Sequence, residues 1–180
     1  MEEKEWDYKL EESKIAYQGK RLRVEERIYN KNGKKIYREH VIPGNAVVIL
    51  PITNNGTVIM IKEARTAVSK YILGLPAGMI EKGEDTRDAA IRELEEETGY
   101  YAKKIKKIRE YYPTVGYSEE KIEIFLAEDL EKTQMNLDDT EDIEVVEITL
   151  EEVKKLLDEN KLVSASENIA LLYYFLNYNK

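Results

Sequence analysis

Short apolar stretches punctuated by turn residues fill most of the chain, and helical spacing appears in only three places. Residues 21–29 (RLRVEERIY) and 36–42 (IYREHVI) are rich in β-branched and aromatic residues. Asn30-Lys31-Asn32-Gly33 lies between them, a hairpin signal, and Pro43-Gly44 ends the second stretch. Residues 45–52 (NAVVILPI) and 57–61 (TVIMI) are continuous apolar runs joined by Asn54-Asn55-Gly56. That pattern suits central strands of a mixed sheet joined by a tight turn. Residues 71–76 (YILGLP) lead into a glycine turn, and further strands are expected over 104–112, 121–127 and 143–148. Residues 1–14 are polar and charged around Trp6 and Tyr8 and read as a frayed end or a short edge strand. Residues 128–142 are acidic without periodicity and read as a surface loop.

The first helical stretch ends at Gly99, where glycine suits the residue after a helix. Asp85 or Thr86 supplies an N-cap, and Asp88 in the first turn favours the dipole. At helical spacing Ala90, Ile91, Leu94 and Thr98 form one buried stripe. A second helix runs from Thr149 to about Asn160, with Thr149 and Glu152 spaced as a capping box. A last helix, roughly 164–178, carries Ala170, Leu171, Tyr174 and Phe175. Strands, a helix, more strands and two final helices predict the α/β class, in its α+β form: an α/β/α sandwich on a mixed β-sheet.

The chain has 180 residues, 42% hydrophobic and 36% charged, enough for a sizeable core. The net charge of −8 argues against non-specific nucleic-acid binding but not against a nucleotide substrate. No cysteine is present, which excludes disulfides, thiolate metal sites and cysteine nucleophiles. The single histidine, His40, excludes a histidine-rich zinc site and reads as a packed strand residue. Without a long apolar run or signal peptide, the expectation is a cytoplasmic protein with no membrane partner. Abundant Glu, Lys and Ile fit a thermophilic source.

Chemistry concentrates in residues 78–100, GMIEKGEDTRDAAIRELEEETGY. Glu93, Glu96 and Glu97 share one face along the edge of the buried stripe, whereas Glu95 points elsewhere. Like charges a helical turn apart repel, so the block calls for a cation, and hard divalent ions take clustered carboxylate oxygens. Glu93 and Glu97 are the first-choice metal ligands and Glu96 the third. Arg92 and Glu84 are expected to brace them as an ion pair. Gly78 and Gly83 let the backbone turn tightly beside the metal. Arg65, at a strand end, is a candidate phosphate ligand because a guanidinium forks onto two oxygens. Trp6 and Tyr17 have the ring faces to stack on a base, although core packing explains tyrosines equally well.

Gly78, five residues, Glu84, seven residues, then Arg92-Glu93-Leu94-x-Glu96-Glu97-x-Gly99-Tyr100 resembles the Nudix box at every fixed position, with Tyr100 at a site usually held by an aliphatic residue. Leu75-Pro76-Ala77-Gly78, Arg65, the Gly116–Glu120 loop and the 141–159 segment resemble the ADP-ribose pyrophosphatase branch. Two positions depart from that branch: Gly74 stands where it usually has glutamate, and Val115 where it commonly has proline.

The resemblance implies a Nudix fold with a small N-terminal antiparallel sheet. Residues 1–44 would form a β subdomain that packs against a partner subunit in a homodimer, and residues 45–180 the hydrolase domain. It implies Mg2+-dependent hydrolysis (with Mn2+ as an alternative) of the diphosphate linkage of ADP-ribose, giving AMP and ribose 5-phosphate. Another nucleoside diphosphate sugar or dinucleotide is the second reading, and a non-catalytic nucleotide-sensing module the third. Carried over, the Ala77 carbonyl joins Glu93, Glu96 and Glu97 as metal ligand, two or three metal ions being accommodated. Glu141 becomes the base, with Asp139 and Glu120 as alternatives, and Glu96 and Glu97 complete the catalytic set. Arg65, Glu120, Arg38 and Arg21 would contact substrate, the last two from strand positions.

Overall fold

The computed structural model of the chain describes residues 4–178. They form two compact units: one built from the chain up to Asn45 together with Tyr112–Lys121, the other from Ala46–Tyr111 and the chain from Ile122 onward.

The first unit is an antiparallel sheet, β1 (Lys9–Gln18), β2 (Arg23–Lys31) and β3 (Lys34–Ile42), in that order. Asn32 and Gly33, with φ of 52° and 79°, make the two-residue β2–β3 turn, and the Asn30 side-chain oxygen accepts the Gly33 N–H at 3.0 Å. β1 is a full ten-residue edge strand running past residue 14, longer than its composition suggested. Lys and Glu in it are tolerated because every β1 residue is exposed. The 112–121 segment joins this unit through Val41, whose N–H donates to the Tyr117 carbonyl at 2.8 Å and whose carbonyl accepts the Glu119 N–H at 3.0 Å. Side chains reinforce that join: Arg27 reaches Glu119 at 2.5 Å, and His40 Nδ1 lies 3.1 Å from the same carboxylate. His40 is half-buried beside Tyr29, the packed strand residue expected of it.

The second unit contains two sheets. One has four strands in the order β7 (Ala77–Met79), β4 (Ala46–Pro51), β9 (Ile122–Lys132), β8 (Tyr100–Tyr111), with β4 and β9 parallel. The other is antiparallel, in the order β10 (Ile143–Thr149), β5 (Thr57–Arg65), β6 (Lys70–Gly74). The two apolar runs expected to neighbour each other in one sheet therefore sit in different sheets. β4 spends its ladder on β7 and β9, and β5 spends its own on β10 and β6, leaving only an isolated Ile52–Val58 bridge between them. β9 also continues five residues beyond Ala127, into the stretch read as loop, because β8 supplies partners as far as Tyr100.

Residues of β4 alternate between two cores. Val47 and Ile49 pack with Ala89, Ala90 and Leu94 of α1 (Thr86–Thr98). Val48 and Leu50 pack with Val153 of α2 (Leu150–Asp158) and Ala170 and Leu171 of α3 (Ala165–Asn177). Burial on both faces explains why the β4 run is continuously apolar. The result is the α/β/α layering expected from the element order. Among the described residues no helix is long and apolar enough to cross a membrane.

Candidate active site

α1 places the acidic side chains. Asp85 is its N-cap, accepting the Arg87 N–H at 2.9 Å, and Gly99 closes it in the left-handed region at φ 67°. Ala89, Ala90, Leu94 and Thr98 bury the inner stripe, with Ile91 half-buried beside them. Glu97 falls on the margin of that stripe and is only 3% exposed. Its Oε2 accepts the Ala77 N–H at 2.9 Å, which ties α1 to the start of β7.

That burial has an electrostatic consequence. Desolvation pushes the Glu97 carboxyl up to about 8; the Ala77 N–H opposes the rise, and the charges of Glu93, Glu63 and Glu141 add to it. Burial also raises Glu93, against the pull of Arg92, with Glu96 and Glu141 adding to the rise. Glu141 thus lies close enough to act electrostatically on both α1 carboxylates, although it is 44 residues beyond Glu97 in sequence. Carboxylates placed in this way offer the negative charge and the hard oxygen donors that a divalent cation takes.

Arg92 already neutralises part of it. Its Nε and Nη2 fork onto the Glu84 carboxylate at 2.9 and 3.0 Å, and Nη1 donates to Glu93 at 2.8 Å and Glu96 at 3.0 Å. Nη2 also donates to the Met79 carbonyl at 3.2 Å, so all five guanidinium N–H groups are used. Glu84 is held in turn by the Glu81 N–H at 2.9 Å, and the ion pair depresses its carboxyl. With Glu93 and Glu96 on Arg92 and Glu97 on Ala77, no three acidic side chains among the described residues are grouped to hold a metal ion between them. The donors fit a hard divalent ion that keeps much of its own hydration and takes only a few protein oxygens.

Gly78 has a steric reason for being glycine. A Cβ there would stand 1.9 Å from the Glu93 carboxyl carbon, inside the side chain itself. Gly83, at φ 86°, turns the backbone back toward α1.

Glu141 sits in the 133–142 segment between β9 and β10. Its carboxylate accepts the Asp138 N–H at 2.9 Å, and its own N–H donates to the Asp138 carbonyl at 2.9 Å. The segment is tethered at both ends. Thr133 and Asn136 donate to the carbonyls of Gly99 and Glu96 at 2.7 and 3.0 Å, and Asp142 accepts the Ala64 N–H and the Tyr71 hydroxyl. Asp139 is exposed in the turn before Glu141. A cleft of about 710 Å³ opens between this segment and α1, lined by Arg87, Glu95, Glu96, Tyr101 and Met135 among others. Glu95, read as pointing away, therefore borders it.

Arg65 ends β5, half-exposed, and pairs with Glu63 at 2.6 Å. Glu63 was not anticipated as part of the site, although two strand residues before Arg65 it projects from the same face of β5. Glu120, Arg38 and Arg21 belong to the first unit. Burial raises the Glu120 carboxyl. Arg38 lies on β3 and donates to the Tyr37 carbonyl at 2.7 Å. Arg21 does not lie on a strand, as expected, but in the bend before β2, because the β1–β2 ladder closes at Gln18–Arg23.

Comparison with known proteins gives a consistent result. The family model described as the NUDIX domain matches residues 43–168. The chain is 42% identical over 144 residues to an ADP-ribose pyrophosphatase of Bacillus subtilis (strain 168), covering 79% of this chain and 78% of that protein. It is 35% identical over 144 residues to a methanol dehydrogenase activator of Bacillus methanolicus, with the same coverage of each chain. A crystal structure of an ADP compounds hydrolase superimposes with a TM-score of 0.84 at 25% identity, over 96% of this chain and 94% of the other.

Proposed function

The chain belongs to the Nudix hydrolase family, and from that premise we propose that it cleaves the diphosphate linkage of ADP-ribose with Mg2+, releasing AMP and ribose 5-phosphate. One observation carries the reading: Glu97 is nearly buried on the Ala77 N–H while Glu93 and Glu141 both bear on it electrostatically, an arrangement that a binding module has no use for. The ADP-ribose specificity rests on the 42% identical relative.

Glu93, Glu96, Glu97 and the Ala77 carbonyl would hold a divalent ion, which would neutralise the diphosphate oxygens and activate water. The chain's own residues do the rest. Arg92, fixed by Glu84, holds Glu93 and Glu96 in register. Glu141 takes the proton from the attacking water as its oxygen bonds to phosphorus and the bridging P–O bond breaks. Arg65 receives a phosphate by exchanging its contact with Glu63. The β1–β3 sheet forms the contact with a second copy of the chain.

The test is a screen of ADP-ribose, GDP-mannose, UDP-glucose, NADH and diadenosine polyphosphates with Mg2+ or Mn2+. ADP-ribose is expected to be the best substrate, with AMP and ribose 5-phosphate as products. Tight binding of ADP-ribose without hydrolysis of any compound would overturn the enzyme reading, and faster cleavage of another compound would reassign the substrate.

A further inference from the structure

Glu167 stands in the first turn of α3, three residues after the N-cap Ser164. That spacing is the signature of a capping box, in which Glu167 would turn back to the Ser164 N–H. The structure places it otherwise. Its side chain crosses to the β6–β7 connection, where Oε1 accepts the Leu75 N–H at 3.3 Å. Glu167 is 7% exposed and Leu75 is 1% exposed, so this bond joins two buried partners. Oε2 is buried with no protein hydrogen-bond partner.

Gly74 makes room for the crossing: a Cβ on residue 74 would stand 2.9 Å from Glu167 Oε1. The carboxylate also borders a cavity of about 270 Å³ shared with Glu63, Arg65, Ser164 and Leu75.

The Leu75–Ala77 turn is held at three successive residues. Glu167 takes the Leu75 N–H, the Pro76 carbonyl accepts the Ile49 N–H at 2.9 Å, and the Ala77 N–H donates to Glu97 at 2.9 Å. Two of the three anchors are carboxylates from different helices, Glu97 from α1 and Glu167 from α3. A rigid turn fixes where Glu97 can point, so an acceptor on α3 bears on the metal platform without touching it.

We infer that Glu167 is a positioning residue for that platform: by accepting the Leu75 N–H it sets the turn that orients Glu97 and Ala77. The inference rests on the reading of Glu93, Glu96 and Glu97 as metal ligands. It requires an acceptor of the right reach and does not require the negative charge. Outer partners of metal ligands commonly govern affinity by about 10- to 100-fold.

The test is Mn2+ binding to the full chain without substrate, followed by electron paramagnetic resonance or calorimetry well below each variant's melting temperature. Glu167→Gln keeps the acceptor and is expected to bind Mn2+ within about twofold of the unaltered protein. Glu167→Ala, which removes the acceptor, and Glu167→Asp, which keeps the charge but shortens the reach, are both expected to weaken binding about tenfold. If Glu167→Ala does not fold, Glu167→Asp against Glu167→Gln still decides. Asn168→Ala is the control, because Asn168 Nδ2 donates to the carbonyls of Leu162 and Ser164 and so secures the same end of α3 without touching the turn. It is expected to lower the melting temperature and leave Mn2+ affinity unchanged.

Equal weakening by Asn168→Ala, undiminished affinity in Glu167→Asp, or failure of Glu167→Gln to rescue would each overturn the inference. Failure of the unaltered protein to bind Mn2+ would overturn the platform itself, and the positioning role with it.

Discussion

Gly78 and Glu97 show how narrowly the site is drawn. The Glu93 carboxyl fills the space that any side chain at residue 78 would need. Gly78→Ala is therefore expected to displace Glu93 and lower kcat by about a hundredfold, as misplacing a catalytic group by an ångström does, while the fold persists. Unchanged kcat would show that Glu93 tolerates another position. Glu97 gives a test on the metal-free protein. Its carboxyl titrates at about 8 in the folded chain against 4.5 as the ordinary value, so folding takes up a proton between those limits. Stability from this group is complete below pH 4.5 and is lost as pH rises toward 8. With chelator present, the melting temperature should fall from pH 5 to pH 8.5, and Glu97→Gln should flatten that fall. Mg2+ should restore stability most at the alkaline end and release protons on binding, measurable by calorimetry in buffers of different ionisation enthalpy. A Glu97→Gln profile parallel to that of the unaltered protein would remove Glu97 as the source.

Helix α1 and the segment that follows β9 act as one piece, because the C-terminal carbonyls of the helix hold the start of the Glu141 loop. Gly99 is the joint. It needs φ 67°, and a Cβ there would meet Met135 Cγ and the Met135 nitrogen at 3.2 Å. Gly99→Ala should cost about 1–2 kcal/mol from the left-handed backbone alone, read as a lower melting temperature. It should also lower kcat more than it changes KM, because the loop bearing Glu141, the proposed base, shifts; a change in stability alone would uncouple loop from helix. The helix itself was legible in the sequence, since its caps, its stripe and its Arg92–Glu84 brace lie within fifteen residues of one another. What was not legible is what other elements bring to it. Glu141 came from resemblance, whereas Glu63 arrives by β5 register and Glu167 by the packing of α3. The Ser164–Glu167 spacing matches a capping box, of which the folded chain forms only the Ser164 half. Strand extents misled for a related reason: Lys9–Gln18 and Glu128–Lys132 have weak patterns of their own and become strands because β2 and β8 offer them ladders.

The first unit raises the question of what its edge is for. β1 leaves one side of its backbone outside the β1–β3 ladder over ten residues, with Leu10, Ile15 and Tyr17 more than half exposed along it. Tyr37 on β3 is 64% exposed and Trp6, just before the sheet, 76%. Long edges with exposed apolar side chains invite pairing with another chain, and natural proteins blunt them or cover them. The lysines and glutamates of β1 and its two register irregularities blunt this edge in part, which disfavours open-ended growth but still permits one defined partner. A symmetric pair is the commonest such partner, and it closes the assembly by using the same surface on both copies. Light scattering at micromolar concentration should then report twice the 21.0 kDa chain mass. Neighbouring in register, Ile15 and Tyr17 fall on opposite faces of the sheet, pairing with Glu25 and Val24 across a bulge. Replacing both by lysine places charge on each face, so Ile15→Lys/Tyr17→Lys should give a monomer whichever face meets the partner. The second unit keeps its own core and its own carboxylate cluster, so Mn2+ binding by that monomer should match the dimer. If the unaltered chain runs as a monomer, or the double variant remains a dimer, the β1 edge is not the contact.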